Sequence, residues 1–505
     1  MLEFLPHSPT LLTLLAILPF VPFWRHGQRI GITLLSFVIN KYLLWKYPIR
    51  SVDGKRSIPT RPYIFPDGQG DAAKFLEGEK NSEAWAKEYG RIYRVWNGMT
   101  PEIVLTHPDD VKAVYRDSDN HSKAVNNNAG WLMGQLLGKC VGLTSTAEWR
   151  HVRAATDVSY ARNLVSRHIP GIAISTRELL AKLESEGRLA QGVMNPVEDL
   201  SMLPFWQIAD HLYGKLTPDQ KKELESIVPA REEVFKRMIE GGVTRFAWSQ
   251  FLPTKTNRQL TEFKTKWRAF NDKVYAGLIA AGECPPMVPM YQARERGEMT
   301  TENLYQTLDE MLFADLDITI AAMAWNMVYL AANPEVQTKL REEIRSAHKT
   351  EDKQEWNKYL QSSSTLLAAC ILEAARVKPI AAFTVPQSAP TMRILGDFLI
   401  PANTHFIVDT YALNLRNPFW EGDADQYRPE RFLKRSGTEY RYQYWRFGFG
   451  PRQCMGKHLT ELIIRGFLVE MLERYRLTLG PDVKWTKVPD TWITQPETDV
   501  MVERL

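Results

Sequence analysis

The chain contains few cysteines, and their spacing excludes a disulfide-rich class of protein. The cysteines of the 505-residue chain are Cys140, Cys284, Cys370 and Cys454, and none forms a CxxC pair. A disulfide framework is typical of short secreted chains with many closely spaced cysteines. We therefore expect thiols in a reducing compartment, and a special role for any one cysteine has to be argued from its neighbours.

The chain also lacks a large excess of charge of one sign. Its formal net charge is +4, and no basic run is dense. This excludes the charge pattern that is typical of proteins that bind nucleic acids. No strong GxGxxG or P-loop sequence opens a predicted helix, so we do not expect this chain to bind a nucleotide. With 44% hydrophobic and 24% charged residues, the composition is that of a globular protein with a large core.

The N-terminal region has two apolar runs, and each is short for a helix that crosses a membrane. Residues 9–24 carry no charge, residues 30–40 form the second run, and Arg25 and Arg29 lie between them. A cleaved secretory signal carries positive charge before its apolar run, whereas here the arginines follow it. The pattern predicts an uncleaved membrane anchor at residues 1–45, with its positive flank in the cytoplasm and one or two crossing segments. The alternative is a pair of buried helices.

A proline-rich segment follows the anchor, and the rest of the chain is predicted to be mainly helical. Pro59, Pro62 and Pro66 make residues 46–70 stiff and extended, which predicts a hinge. Apolar residues recur at helical spacing over much of residues 71–505, and short strand-like pieces interrupt them, of which IYRVWNG and EIVLTH predict a short hairpin. We therefore expect residues 71–505 to form one mainly α domain with small β-sheets.

One cysteine lies in a glycine-rich loop directly before a predicted helix. Residues 447–456 read FGFGPRQCMG, and the apolar spacing of the residues that follow predicts a final helix over 457–474. Gly448, Gly450 and Gly456 let the backbone adopt positive φ and approach another group closely. The N-terminus of a helix carries partial positive charge, which favours the thiolate form of Cys454. A thiolate presented in this way suits a soft metal ion.

Two neighbours of Cys454 indicate which metal centre it serves. Arg452 offers a forked guanidinium to a carboxylate, and Phe447 is placed to shield the sulfur from water. A thiolate ligand with an arginine for a propionate describes a haem-thiolate site. A zinc site at Cys454 and His458 is excluded, because no second pair of ligands has the required spacing.

The loop matches F-x-x-G-x-R-x-C-x-G at every fixed position, and so it resembles the signature of the cytochrome P-450 superfamily. The resemblance implies the cytochrome P-450 fold, haem b as cofactor and Cys454 as the ligand of its iron. The stretch EWRHVR resembles the helix that donates to the haem propionates. The residues expected at the haem are Phe447, Gly448, Gly450, Arg452, Cys454, Gly456, Trp149 and Arg153.

Two further stretches resemble the family in chain order. ILEAARVKP contains Glu373 and Arg376, which lie one helical turn apart, and RPERF contains Arg431. The resemblance implies a structural network of these three residues, and such a buried cluster needs all of its partners. The family often has Pro-Arg after the next strand, with the arginine on a propionate, whereas here Gln387 follows Pro386. Haem anchoring is therefore expected to depend more on Trp149, Arg153 and Arg452.

The long helical run departs from the family at the position that usually delivers protons. The family usually has A/G-G-x-D/E-T-T where this chain reads ADLDIT. Ala314, Asp317 and Thr319 match the family pattern. Asp315 replaces the glycine, and Ile318 replaces the first threonine. Because isoleucine cannot transfer a proton, Asp317, Thr319 or a substrate group is expected to do so, unless the enzyme does not activate oxygen in the usual way.

Helical spacing places four positions of this run on one face. If that face looks onto the haem, the residues that line the substrate pocket are Met311, Ala314, Asp315 and Ile318. Asp315 then either fills the gap in the proton path through water or anchors a substrate N–H or amine. In the alternative, Asp315 points into the helix bundle and pairs there.

The stretches LFADLDIT and NNNAGWLMGQLLGKCVGLTSTAEW are similar to enzymes of fungal secondary-metabolite and mycotoxin pathways. The nearest resemblance is to enzymes that act on diketopiperazines in epipolythiodioxopiperazine (gliotoxin-type) pathways. The resemblance implies a monooxygenase that hydroxylates, epoxidises or oxidatively cyclises a small molecule with O2. Two alternatives use the same site, namely an oxygen-independent isomerase or dehydratase and a non-catalytic haem-binding protein.

The resemblance also implies a redox partner and a location. Electrons are expected to come from NADPH through a membrane-bound reductase, with the catalytic domain on the cytoplasmic face of the endoplasmic reticulum. A basic face near Cys454 suits docking to an acidic flavin domain. The residues expected on that face are Arg446, Arg452, Lys457, Arg150 and Lys378.

Overall fold

Helices dominate the fold, as expected from the sequence. The computed structural model describes residues 20–123, 130–313, 315–349, 352–489 and 491–505, and for residues 20–28 and Asp315 it describes the backbone only. The α-helices are Phe20–Lys46, Gly78–Tyr89, Pro108–Tyr115, Gly130–Leu136, Thr146–Asp157, Arg162–Val165, Ile169–Glu186, Leu203–Tyr213, Pro218–Glu240, Lys255–Ala281, Met287–Glu295, Thr301–Phe313, Asp315–Ala332, Pro334–His348, Lys353–Gln361, Leu366–Val377, Thr410–Asn414, Glu430–Leu433 and Lys457–Arg474.

Short helical turns and strands complete the described part of the chain. A π-helical turn spans Ala72–Leu76. The 3₁₀ turns are Ser118–Asn120, Val158–Tyr160, Ser166–His168, Arg188–Gln191, Gly242–Arg245, Ala247–Phe251, Pro418–Trp420 and Gly450–Arg452. The strands are Ile92–Asn97, Thr100–Leu105, Ser122–Lys123, Val193–Met194, Gln387–Ser388, Arg393–Leu395, Phe398–Ile400, His405–Val408, Tyr475–Leu479 and Val500–Arg504. The prediction of a mainly α domain with small sheets is confirmed.

The largest described sheet joins the N-terminal and C-terminal parts of the chain. Its strand order is Ile92–Asn97, Thr100–Leu105, His405–Val408, Gln387–Ser388 and Ser122–Lys123. The first two strands form the expected antiparallel hairpin, the second and third are parallel, and the other pairs are antiparallel. In the last pair Lys123 lies directly opposite Gln387. This pairing brings to one place two residues that are far apart in the sequence.

Two helices form the centre of the core. The final helix, Lys457–Arg474, has the predicted bounds and buries almost all of its apolar side chains. An added Cβ at Gly466 would lie 2.6 Å from Ile172 Cγ2, so this helix approaches its neighbour closely. The central helix comprises Thr301–Phe313 and Asp315–Ala332 on either side of residue 314. Together these two helices carry the cysteine loop and the opposite side of the main cavity.

Among the described residues, one helical stretch is long and apolar enough to cross a membrane, and it is the central helix. Within Thr301–Ala332, 81% of the most apolar window is buried inside the protein. A helix enclosed by other helices of the same domain satisfies its apolar surface there. The apolarity of the central helix therefore reflects its place in the core.

The N-terminal helix differs, because its apolar side chains face outward. Between residues 30 and 45 the exposed large apolar side chains are Ile30, Ile32, Leu34, Leu35, Phe37, Val38, Tyr42 and Trp45. Its end contacts the domain through Leu43, which is fully buried with Tyr63 and Trp96. Asn40 Oδ1 also accepts a hydrogen bond of 3.0 Å from Tyr63 N. Residues 1–19 of the predicted anchor lie outside the described residues.

The proline-rich segment packs along the first hairpin. Arg94 N donates to Pro59 O at 2.8 Å, and Arg61 N donates to Arg94 O at 2.9 Å. Further along, Gln69 N donates to Trp96 O at 2.8 Å, and the Gln69 side chain accepts from Trp96 N at 2.8 Å. These contacts attach the segment to the catalytic domain at several points.

Candidate active site

A cavity of about 540 Å³ lies between the cysteine loop, residues 447–456, and the central helix. Most of its lining side chains are aromatic or aliphatic. Several charged side chains also line the cavity. The charged residues beside the loop are Lys123, Arg153 and Arg452. Other charged residues of the lining include Arg231, Glu310 and Asp317, of which Glu310 lies close enough to Lys123 and Arg153 to feel their charges.

The backbone of the cysteine loop presents the Cys454 side chain to the cavity. Cys454 N donates to Phe447 O at 2.8 Å, which closes the loop. Gly448 and Gly450 have φ of +79° and +68°, as expected for a loop that only glycine allows. An added Cβ at Gly450 would lie 2.5 Å from Ser118 Oγ. The Cys454 side chain is exposed to the cavity, and the final helix begins three residues later.

Gly456 does not have the predicted conformation. Its φ is −74°, and an added Cβ would meet no atom closer than 3.9 Å. The expectation of positive φ at this position is therefore wrong, because Gly456 already adopts the turn that begins the final helix. Phe447 lines the cavity as expected, and its ring centroid lies 4.5 Å from the guanidinium carbon of Arg446.

A buried ion-pair network holds the chain just before the cysteine loop. Glu373 accepts two hydrogen bonds of 2.8 Å from Arg376 and one of 2.9 Å from Arg431 Nε. Arg376 Nη1 donates to Asn414 O at 3.0 Å. The Asn414 side chain in turn bonds both backbone groups of Trp445, at 2.9 and 2.7 Å. The three residues expected to form a network do so, and Asn414 extends it to the loop.

Two arginines expected at a propionate lie beside the cysteine loop. The guanidinium carbon of Arg452 lies 4.6 Å from the ring centroid of Trp149, and its Nη1 donates to His121 O at 3.0 Å. Arg153 Nη1 donates to Gln453 O at 3.2 Å. Within the described part of the chain, Arg153 Nε is buried without a hydrogen-bond partner. The structure thus brings Trp149, Arg153 and Arg452 together against the cysteine loop.

Lys123 is a third cation at this place, and sequence reasoning missed it. Burial, and then the charge of Arg452, lowers the pKa of Lys123 to about 7. Burial, and then Arg153, lowers the pKa of Arg452 to about 10. Cations whose pKa values fall in this way lack sufficient negative charge nearby. Gln387 stands where the family usually has an arginine, and this difference could have prompted a search for another cation. Lys123 lies opposite Gln387 in the sheet.

These groups fit haem b. A thiol in a glycine-rich loop supplies a ligand for iron, and a cation cluster beside it suits the two propionates. The unpartnered Arg153 Nε is a donor that a carboxylate would satisfy. Aromatic and aliphatic side chains line most of the remaining cavity, as a flat apolar macrocycle requires.

The central helix places only part of its predicted set at the cavity. Met311 and Ile318 line the cavity, as expected. Ala314 and the side chain of Asp315 lie outside the described residues. Thr319 is fully buried and is not among the described residues that line the cavity, so the structure does not bring its hydroxyl to the site. The face that meets the cavity also includes residues 310, 313, 317 and 322.

Asp317 lines the cavity, and its carboxylate is bonded by side chains from the C-terminal part of the chain. Trp492 Nε1 donates to Asp317 Oδ2 at 2.7 Å. Gln495 Nε2 donates to Asp317 Oδ1 at 3.5 Å. Neither contact could be predicted from the sequence, because Trp492 and Gln495 lie in a stretch without periodic pattern.

Three more charged residues at or beside the cavity were not found from the sequence. Glu310 Oε2 accepts a hydrogen bond of 2.9 Å from Gly142 N, and burial raises the pKa of Glu310. Arg231 Nε donates to Asp309 Oδ1 at 3.1 Å, and both side chains are nearly fully buried. Burial raises the pKa of Asp309 to about 6, although Arg231 acts in the opposite direction. A buried guanidinium and a buried carboxylate therefore face one cavity.

The predicted basic face is smaller than expected. Arg446 is buried in an ion pair with Glu461. Lys378 Nζ lies 2.9 Å from Glu79 Oε1, and its side chain lines the cavity. The assignment of Arg446 and Lys378 to the surface is wrong, since each charge has a buried or half-buried partner. Arg150 is exposed on the helix that carries Trp149 and Arg153.

The family model described as cytochrome P450 matches residues 77–504 of the chain. Among curated proteins, the chain is 48% identical to "Cytochrome P450 monooxygenase aclC" of Aspergillus oryzae, over 96% of this chain and 97% of that protein. It is 43% identical to "Cytochrome P450 monooxygenase asaD" of Aspergillus flavus, over 93% of this chain and 91% of that protein. It is 38% identical to "Cytochrome P450 monooxygenase gliC" of Aspergillus fumigatus, over 92% of this chain and 93% of that protein.

The fold is also similar to a solved structure. A zebra fish cytochrome P450, in a structure with progesterone, matches with a TM-score of 0.68. The match covers 84% of this chain and 98% of that chain, at 18% sequence identity. At this identity the likeness supports the fold alone.

Proposed function

The chain belongs to the cytochrome P450 family and is a monooxygenase, and from this premise we propose that it oxidises a diketopiperazine intermediate of fungal secondary metabolism. The carrying observation is the cavity, whose lining includes the Cys454 side chain, the three cations beside it, and the charged side chains of Arg231 and Glu310. The family implies haem as the cofactor. The oxygen-independent and non-catalytic alternatives are set aside, because the three relatives described above are named as monooxygenases.

In this proposal Cys454 is the ligand of the haem iron, and Lys123, Arg153 and Arg452 hold the propionates. When bound, the haem supplies the iron at which dioxygen is activated. Trp149 orients Arg452 by lying 4.6 Å from its guanidinium carbon. The Glu373 network fixes Trp445 and, through it, the approach to the cysteine loop. These residues therefore position the cysteine loop and its ligand.

Two charged side chains of the lining support a substrate that carries amide groups. Arg231 is a donor that suits a carbonyl oxygen, and Glu310 is an acceptor that suits an N–H group. A cyclic dipeptide presents both groups on a compact ring, and its side chains suit the aromatic lining. Ile318 adds an apolar surface where the family usually has a hydroxyl. The overall reaction uses O2, two electrons and two protons, and it gives either an oxygenated product and one water or two waters and a product that has lost two hydrogen atoms.

The N-terminal helix supports attachment to a membrane. Contacts connect this helix to a second apolar surface on the domain. Phe65 N donates to Ser36 Oγ of the helix at 2.9 Å, and Asp67, two residues later, pairs with Arg245 at 2.8 Å. The segment after Arg245 exposes Phe246, Trp248 and Phe251. An apolar patch of this kind on one side of a soluble domain is typical of a membrane-facing surface. We place the catalytic domain on the cytoplasmic face of the endoplasmic reticulum, where a reductase delivers electrons from NADPH.

The experiment is a reductase-coupled assay of the full-length protein in membranes. The substrates are cyclic dipeptides with aromatic side chains, and the matched controls are the linear dipeptides of the same composition. We expect consumption of cyclic dipeptide that requires both NADPH and O2, with a mass gain of one oxygen or a loss of two hydrogens. Oxidation of the linear controls in preference to the cyclic compounds would contradict the proposed substrate class.

A further inference from the structure

Two aspartates of the central helix each hold a side chain that comes from another element. Asp309 Oδ1 accepts from Arg231 Nε at 3.1 Å, and Arg231 belongs to the helix Pro218–Glu240. Asp317 Oδ2 accepts from Trp492 Nε1 at 2.7 Å. Both bonds use a nitrogen that does not lose its proton at physiological pH. Each aspartate therefore serves as a fixed acceptor for a neighbouring element.

One aromatic ring joins the two anchored side chains. The guanidinium carbon of Arg231 lies 4.5 Å from the ring centroid of Phe235, and the rings of Phe235 and Trp492 lie 5.3 Å apart at 64°. We name the five residues Asp309, Arg231, Phe235, Trp492 and Asp317 the wall cluster. All of them except Asp309 line the cavity. The cluster connects three separate parts of the chain along one side of the pocket.

The contacts of Asp317 bear on the role expected for it from the sequence. A proton-transferring acid needs a path along which it can exchange protons with water. Here Oδ2 is bonded by an indole, and Oδ1 has Gln495 Nε2 at 3.5 Å. Neither donor can pass a proton on, because both are amide-like or indole N–H groups. The carboxylate is thus used to hold Trp492.

We propose that Asp317 is a positioning residue that fixes Trp492 as a specificity-determining wall of the substrate pocket. The hydrogen bond holds the indole against Phe235, so the wall keeps one shape. Without an acceptor at position 317, Trp492 no longer makes its hydrogen bond to the central helix, and the pocket no longer fits bulky aromatic ligands. This role goes beyond the proposed function, since it does not depend on which molecule is oxidised.

The test measures ligand binding rather than turnover. The probes are imidazole and econazole, an imidazole that carries large aryl groups, and binding is followed by the spectral shift of the holoenzyme. Imidazole is too small to need the wall, whereas the aryl groups of econazole fill the pocket. The ratio of the two dissociation constants reports on the wall and cancels changes at the iron.

The variants separate positioning from proton transfer. We expect Asp317→Leu and Trp492→Ala to weaken econazole binding about tenfold relative to imidazole. Asp317→Asn keeps an acceptor oxygen, so we expect it to restore the ratio to within about twofold of the parent. The matched control is Trp267→Phe, which removes an indole hydrogen bond of 2.9 Å to Tyr305 O at a site that does not line the cavity. This control should leave the ratio unchanged.

A double-variant cycle addresses the bond itself. Trp492→Phe removes the donor and Asp317→Leu removes the acceptor, so the combined variant should be no weaker in econazole binding than the weaker of the two single variants. The proposal is overturned if Asp317→Leu binds econazole as the parent does. It is also overturned if Asp317→Asn and Asp317→Leu weaken the ratio equally, since the charge rather than the acceptor would then matter. Thermal unfolding and haem content of each variant show whether it is folded, and Trp492→Phe, which removes the donor without changing the central helix, keeps the test decisive if Asp317→Leu does not fold.

Discussion

The cysteine loop and the wall cluster lie on the same cavity but are built in different ways. The loop is a local structure, in which ten consecutive residues include the ligand and the glycines that shape it. The wall cluster takes its residues from a helix near position 231, from the central helix and from Trp492. Local structure can be read from a motif, whereas contacts between distant segments leave no motif. The difference explains why the loop is predictable from the sequence and the wall is not.

The cysteine loop depends on the buried ion-pair network around Glu373, and disrupting that network should have the largest effect on stability. Glu373→Ala leaves Arg376 and Arg431 buried without their shared carboxylate. Removing one partner of a buried ion pair costs about 3–5 kcal/mol. We expect little folded, haem-containing protein, as measured by thermal unfolding and haem content.

An exposed ion pair provides the control for that prediction. Glu421→Ala removes the partner of Arg435, and the Glu421 side chain is 63% exposed. Surface pairs contribute about 0–1 kcal/mol, so this variant should resemble the parent. Equal losses in the two variants would contradict the view that burial makes the Glu373 network important.

A glycine tests the local geometry of the loop with a somewhat smaller effect. Gly450→Ala forces a residue with a Cβ to φ of +68° and places that Cβ 2.5 Å from Ser118 Oγ. A left-handed conformation costs a non-glycine residue about 1–2 kcal/mol, and the contact adds to this. We expect a lower melting temperature and weaker haem retention, with partial recovery when Ser118→Ala is added. Gly422→Ala, where a Cβ meets nothing within 4 Å, should change neither quantity.

Lys123 tests whether a cation from another strand completes the loop. If Lys123 holds a propionate, Lys123→Met removes one charge-assisted hydrogen bond, worth about 1.5 kcal/mol, which corresponds to roughly tenfold faster haem release. Lys123→Arg should release haem at nearly the parental rate. Transfer of haem to apomyoglobin measures both rates. Equal rates for the parent and Lys123→Met would remove Lys123 from the haem site.

The smallest expected effect concerns Asp309 of the wall cluster, through which the free energy of unfolding should depend on pH. Because the folded-state pKa of Asp309 is raised to about 6, the folded chain binds this proton more tightly than the unfolded chain does. The stabilisation by this proton is full below the ordinary pKa of 3.8 and is lost as the pH rises through about 6. Relative to Asp309→Asn, the parent should lose about 1 kcal/mol of unfolding free energy between pH 5 and 7. A difference that does not vary with pH would show that Asp309 does not titrate there.

Much of the fold follows from patterns that act over short distances. The final helix has the predicted bounds, and the first hairpin pairs as its alternating residues indicate. The expected network of Glu373, Arg376 and Arg431 forms, because two of its members lie one helical turn apart. These features depend on local periodicity and on a motif, and both are present in the sequence.

The parts that the sequence did not predict depend on pairing between distant segments. Lys123 reaches the loop because its strand pairs with Gln387. Asn414 connects the ion-pair network to Trp445 through its side chain alone. Thr319 matches a family pattern, yet it turns away from the cavity because helical rotation places it on the buried side. Only the three-dimensional arrangement specifies such contacts.

The central claim is that Cys454 is the ligand of the haem iron, and one spectrum tests it most directly. The reduced full-length protein with carbon monoxide should show the red-shifted Soret band of thiolate ligation. Cys454→Ser should lose that band, whereas Cys140→Ser, which alters another cysteine that lines the cavity, should keep it. A Cys454→Ser variant that keeps the band, or a Cys140→Ser variant that loses it, would contradict the account.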